Sequence, residues 1–235
     1  MTQWTNDQLA ALAQELVDAA ARKNLTLRVL GGVAIYMTCP SIETRPTLQR
    51  TPHDLDLVAA RKDWDALAET FAARGVTVRA KEAEHWVFDK DGVEIELCDP
   101  IFRHADLSAR LALASPTLPL ADLLLIKLQR VKFAEWDIQD SIALLLDHRV
   151  VPGEAQGQID HAYIARLCAW DWGLFHAVYD NTVALEKVLD QHVEPEEAQL
   201  VWRRIELIQG DMDQQPKSLG WMLKQIFRKP TQVPA

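Results

Sequence analysis

The sequence predicts an α+β fold: a mixed β-sheet with flanking helices, followed by a C-terminal helical region. Three observations predict it. Short apolar or alternating runs, bounded by Gly, Pro and Asp, recur between "TLRVLGG" and "VEIELCD", as half-buried strands require. Helical periodicity flanks and interrupts them at residues 5 to 24 and 62 to 74. From about residue 105 the strand signal disappears, and the apolar stretches repeat at helical spacing. The expected organisation is an α+β core over residues 1–104 and a helical region over 105–235.

The elements follow in order. Thr5 with Gln8 is a capping-box pair, and Leu9, Leu12, Leu16 and Ala20 recur on one helical face. "TLRVLGG" is a short buried strand that ends at Gly31-Gly32. "VAIYMTC" fits either period. The sharp turn implied by two glycines favours a short helix starting there. Residues 40 to 52 hold three prolines among polar residues and read as a long loop, a place where function often resides. "HDLDLVAA" is the next strand. "KDWDALAETFAAR" is an amphipathic helix stopped by Gly75. "VTVRA" and "HWVFDKD" are strands, and Asp91-Gly92 turns the latter into "VEIELCD". Five helical stretches follow, within residues 119–133, 137–148, 160–189, 194–208 and 218–227. Trp170, Leu174 and Val178 fall on one helical face and read as core.

Composition narrows the class. The chain has 235 residues, 49% hydrophobic and 25% charged, as in ordinary globular proteins. No apolar run reaches the roughly 20 residues of a membrane helix, and the first ten residues carry no signal-peptide pattern. Cys39, Cys98 and Cys168 are odd in number and scattered, which suggests neither a disulfide framework nor a zinc site. A cytoplasmic location is the expectation. A net charge of -9 argues against a dedicated DNA-binding module and leaves room for an anionic ligand held through a metal ion.

The chemistry concentrates in "HDLDLV". Asp54 and Asp56 are two apart on a strand, so both face one side, where like charges repel. A second pair of acids, Glu94 and Glu96, lies on one face of the strand after the hairpin. Acids on two strand faces form a cluster that calls for cations. Mg²⁺ is suited, because it takes carboxylate oxygens together with substrate phosphates. Two such ions would clamp the attacking and leaving oxygens of a phosphoryl-type displacement. Gly31-Gly32 at a helix start would let backbone N–H groups reach phosphate.

Gly-Gly at a strand-to-helix turn, then Asp-x-Asp, then an acid on a neighbouring strand resembles the nucleotidyltransferase superfamily typified by DNA polymerase β. Within it, the chain looks like the minimal bacterial members, which include toxin-type and antibiotic-modifying enzymes. The resemblance covers roughly residues 25 to 150 and includes "PLADLLLIKLQR" followed by "DIQDSIALLLDH".

The resemblance implies the roles. Gly31 and Gly32 would hold nucleotide phosphates, and Asp54 and Asp56 would bind one or two Mg²⁺ ions. A glutamate would be the third acid, activating the acceptor or sharing the metal; the spacing leaves Glu94 and Glu96 both open, with Glu96 favoured. The gap from Gly32 to Asp54 exceeds that of the most compact members. Arg45 and Arg50 in that loop, and Lys127 on a later helix, are candidate phosphate ligands.

The implied reaction moves a nucleotidyl group from a nucleoside triphosphate to an acceptor hydroxyl with release of pyrophosphate. The acceptor would be a small molecule, an RNA end or a protein. In this superfamily the third acid is most often Asp, and Glu stands here instead. That departure keeps an alternative in view: a non-catalytic protein of the same fold that binds a nucleotide or a partner, such as a toxin–antitoxin component.

Each feature also has an ordinary meaning. Asp54 and Asp56 fit a solvated strand face, the glycines a plain turn, and the two glutamates a wet hairpin. Arg45 and Arg50 fit solvated loop positions, and Lys127 fits a lysine snorkelling from a core helix. His53 reads as a surface histidine. His85 and His104 lack metal-ligand spacing, and Cys98 reads as a small buried residue.

Overall fold

The computed structural model describes residues 4–102 and 105–227; His104, and with it the boundary at 104/105, lies outside them. Helix α1 (Asn6–Ala21) starts at Thr5, whose hydroxyl accepts from the Gln8 N–H while the Gln8 side chain accepts from the Thr5 N–H. This is the capping box that the sequence predicts. Strand β1 (Arg28–Leu30) leads directly into α2 (Gly31–Thr38), so the ambiguous "VAIYMTC" is helical. The loop expected over 40 to 52 contains one helical turn, α3 (Ser41–Thr44), because the Arg45 N–H reaches the Ser41 carbonyl at 2.8 Å.

Strand β2 (Asp54–Val58) is followed by a 3₁₀ turn at Arg61–Asp63 and by α4 (Trp64–Ala72). Strands β3 (Thr77–Lys81), β4 (His85–Lys90) and β5 (Val93–Cys98) form a meander. Asp91 and Gly92 both have positive φ, 50° and 87°, as a tight two-residue hairpin turn demands. The sheet order is β1-β2-β5-β4-β3. All pairs are antiparallel except β2 with β5, which run parallel.

That one parallel pair matters most for the site. It aligns Asp54 with Glu94 and Asp56 with Glu96. Between the acids, Leu55, Leu57, Ile95 and Leu97 are fully buried. One sheet face is therefore apolar and packed, and the acids project from the other.

The chain beyond the main sheet, from residue 101 onward, is not purely helical. Strands β6 (Ile101–Phe102) and β7 (Ala105–Asp106) pair, as do β8 (Arg149–Val151) and β9 (Gln158–Asp160). At two or three residues each, they are too short to show alternation. Helices α5 (Leu120–Leu128) and α6 (Glu135–Asp147) come between these pairs. The stretch 160–189 breaks into α7 (His161–Trp170) and α8 (Trp172–Glu186), because the Asp171 carboxylate caps the second helix through the Leu174 N–H at 2.9 Å. A turn, α9 (Leu189–His192), precedes α10 (Pro195–Gln214) and α11 (Leu219–Phe227). Leu174 and Val178 are core as expected, but Trp170, at the break between α7 and α8, is 77% exposed.

A single apolar cluster runs from Leu9 to Met212 and joins the sheet to the later helices. Among the described residues no helix is long and apolar enough to cross a membrane. Phe71 on α4 is fully buried and meets Phe88 of β4 edge-to-face, with centroids 5.2 Å apart. Replacing a core phenylalanine with alanine removes transfer free energy and leaves a cavity. Phe71→Ala is expected to cost about 3–5 kcal/mol and to lower Tm by roughly 10 °C, measured by thermal and urea unfolding.

Candidate active site

Strand register builds the site. Leu30 pairs with Asp56, and Asp56 pairs with Glu96. Gly31 therefore comes off β1 beside the Asp56 side chain. Its φ is +67°, and a Cβ there would overlap the Asp56 carboxylate, lying 2.8 Å from its carbon. A Cβ on Gly32 would likewise overlap the Arg50 guanidinium. The glycine pair thus makes room for two of the protein's own functional groups. At Gly31 the left-handed backbone excludes a side chain independently.

Gly31, Gly32, Asp54, Asp56 and Glu96 line one pocket of about 840 Å³, together with Arg50 and Lys127. The structure thus brings together seven of the nine residues singled out in the sequence. The other two lie elsewhere. Glu94, also on β5, faces the Arg79 guanidinium of β3 at 3.3 Å. Arg45 is paired with Glu197 on α10, so its guanidinium serves a contact between the loop and a late helix. His53 also lines the pocket. Cys98 does too, but its thiol donates to the Leu57 carbonyl at 3.3 Å. Burial, with Asp56 and Glu96 adding to it, pushes that thiol up to about 12, which suits a buried residue and not a nucleophile.

The electrostatics centre on Asp56. Burial raises its carboxyl pKa from the ordinary 3.8 to about 7, and the negative charges of Asp54 and Glu96 add to the shift; Lys127 and Arg50 partly offset it. A desolvated carboxylate among like charges favours either a proton or a cation. The donors are hard oxygens, which fit Mg²⁺. Among the described residues no three His, Cys, Asp or Glu side chains close into a metal cage. The acids instead line an open wall, and magnesium is commonly held by one or two carboxylates plus waters and substrate phosphates.

The cations are held from below by acids that sequence reasoning missed. Arg50 donates to the fully buried Asp140 of α6 from Nε at 2.8 Å and from Nη2 at 2.6 Å. Lys127 Nζ lies 2.9 Å from Asp140 and 3.5 Å from Asp137. Asp137 also accepts from the Ala134 N–H at 3.2 Å, which fixes it in the first turn of α6. The signal was present in "DIQD": two acids three apart on a helix otherwise buried by Ile142, Leu144 and Leu145. Buried acids at helical spacing imply partners. The rim was missed too. Arg130, Lys132 and a half-exposed Trp136 also line the pocket, from the α5–α6 connection and the start of α6. Loop residues of this kind carry no periodic signature.

No protein-family model matches the chain, and no curated protein sequence matches it. Solved structures do. An antigenic nucleotidyltransferase-like protein from Paracoccidioides brasiliensis aligns over 96% of this chain and 99% of its own, at 14% identity and a TM-score of 0.51. The antibiotic-resistance factor ANT(2'')-Ia aligns over 80% of this chain and 100% of its own, at 14% identity and a TM-score of 0.48. Terminal uridylyl transferase 4 from Trypanosoma brucei, with bound GTP, aligns over 90% and 92%, at 10% identity and a TM-score of 0.34. The first match extends well past residue 150, where the sequence resemblance stops. The chain has the nucleotidyltransferase-like fold.

Two outcomes follow from the geometry. Gly31→Ala is expected to destabilise the protein by more than about 1 kcal/mol, because the new Cβ meets both a forbidden φ and the Asp56 carboxylate; chemical denaturation checks it. The second concerns pH. Asp56 keeps its proton to about pH 7 in the fold and releases it near 3.8 when unfolded. Between those values the folded state binds more protons, so stability falls as pH rises through that window. In metal-free buffer, Asp56→Asn should flatten this decline. An unchanged slope would show that Asp56 is not the group responsible.

Proposed function

We propose that the chain is a magnesium-dependent nucleotidyltransferase, which passes a nucleoside monophosphate from a triphosphate to an acceptor hydroxyl and releases pyrophosphate. One observation carries this reading. Asp54, Asp56 and Glu96 share a pocket with Arg50, Lys127 and the glycine turn, so carboxylates and cations face the same space. The nucleotidyltransferase-like fold agrees with it.

Asp54 and Asp56 would hold the metal. When bound, magnesium would neutralise these acids and draw charge from the phosphate oxygens as it develops. The side chains do the positioning. Arg50 and Lys127 hold the outer phosphates, and the N–H groups at the start of α2 add to that hold. Glu96 lies opposite Asp56 in the parallel register and accepts the proton of the acceptor hydroxyl. The acceptor oxygen then bonds to the α-phosphorus, and the bond to the β-phosphate breaks. The pocket supplies proximity and fixed charge more than covalent chemistry. The same site would serve a cytoplasmic enzyme with a small-molecule, RNA or protein acceptor.

The experiment is label transfer from α-labelled nucleoside triphosphates, scored with pyrophosphate release across a panel of acceptors. Wild type is expected to turn over with Mg²⁺ and to stop with EDTA. Asp54→Ala and Asp56→Ala should each be inactive. Glu96→Gln should lose about 100-fold or more in kcat, while Glu94→Gln stays near wild type. Equal activity of wild type and the two aspartate variants would defeat the reading. Nucleotide binding without turnover on any acceptor would instead favour the non-catalytic alternative.

A further inference from the structure

The two pocket cations arrive from opposite parts of the chain, Arg50 from the loop before β2 and Lys127 from α5. Both converge on one carboxylate. Asp140 is fully buried, accepts two hydrogen bonds from Arg50, and has Lys127 Nζ at 2.9 Å. A buried ionic cluster is a poor way to gain stability alone, since apolar replacements of similar volume often do as well or better. The cluster therefore asks for another reason.

The reason lies in what the contacts leave over. Arg50 binds Asp140 through Nε and Nη2 only. Among the described residues its Nη1 makes no hydrogen bond, and the guanidinium lies against Gly32 at the pocket wall. Lys127, with three donors on one ammonium, is ion-paired with Asp140 and Asp137 and also lines the pocket. Both side chains are otherwise long and rotamer-rich. Fixing both through a common buried anion at the pocket wall lowers the ordering cost when a ligand arrives.

We propose that Asp140 is a positioning residue that aligns Arg50 and Lys127 as a two-cation clamp for the oligophosphate portion of the substrate. This deepens the nucleotidyltransferase reading and rests on it. Asp140 itself touches no substrate. Its effect passes through the two cations, and it belongs to phosphate binding and not to the acid cluster on β2 and β5.

The test measures binding of inorganic tripolyphosphate and of a nonhydrolysable nucleoside triphosphate, with Mg²⁺, by calorimetry at a temperature well below Tm. Asp140→Asn should weaken both ligands by about tenfold or more, the scale of a lost charged hydrogen bond. In an Arg50→Met background the same change should weaken them much less, because one of its two intermediaries is gone. Asp140→Asn leaves an excess buried cation and its folding is at risk. Lys127→Met/Asp140→Asn keeps the charges balanced and should still bind more weakly than Lys127→Met alone. A lowered Tm with unchanged Kd would assign Asp140 a purely structural role and overturn the proposal. So would full additivity with Arg50→Met. If wild type binds neither ligand, the nucleotide reading itself fails; if wild type binds and Asp140→Asn binds equally, only the clamp fails.

Discussion

Two strands that run parallel with their acids in register create the problem around which this protein is organised. Asp56 faces Glu96 across β2 and β5, with Asp54 two residues away. Each lies beside a leucine or isoleucine that anchors the other face of the sheet. Asp54 stays exposed at the strand end, whereas Asp56 cannot move into solvent without unpacking the core. Water is partly excluded, like charges accumulate, and Asp56 holds a proton far above the usual carboxylate range. A low effective dielectric makes this expensive and makes any cation nearby more valuable.

The surroundings answer that charge in two layers. The first is steric. Gly31 and Gly32 withdraw their side chains so that a carboxylate and a guanidinium can sit against the backbone. The second is electrostatic. Arg50 and Lys127 approach the acids but are themselves balanced by Asp137 and Asp140 on α6. Acid, base and acid thus alternate from the sheet into the helical part. The arrangement is neutral enough to be buried and still presents opposite charges to one pocket.

Much of the first half was legible in the sequence because its signals are local. The Thr5–Gln8 cap, the Asp91-Gly92 turn, the alternation in "VEIEL" and the two-residue spacing of Asp54 and Asp56 each depend on a few neighbouring residues. The choice between Glu94 and Glu96 was not legible. Both lie on one strand face, and only the ends of the neighbouring strands decide which meets the pocket and which meets Arg79. Arg45 and Arg50 were indistinguishable for the same reason, since a loop has no period from which direction can be read. Asp137 and Asp140 look like ordinary polar helix positions until Lys127 and Arg50 are known to reach them from elsewhere. Strands β8 and β9 were invisible because three residues cannot establish alternation.

The ion cluster at Asp140 has a consequence for how the molecule can be taken apart. Arg50 belongs to the segment that carries the acids, whereas its counter-charge belongs to α6. The strand-rich segment therefore does not contain a finished site. Grafted onto other helices, it would present an arginine with no anion beneath it and a lysine position left to chance. Any recombination that preserves the pocket has to move residues 127–140, which include "DIQD", together with residues 50–58, which include "HDLDLV", although 68 residues lie between the two. The unit of inheritance for this site is a pair of distant short segments, and the fold is what keeps them together.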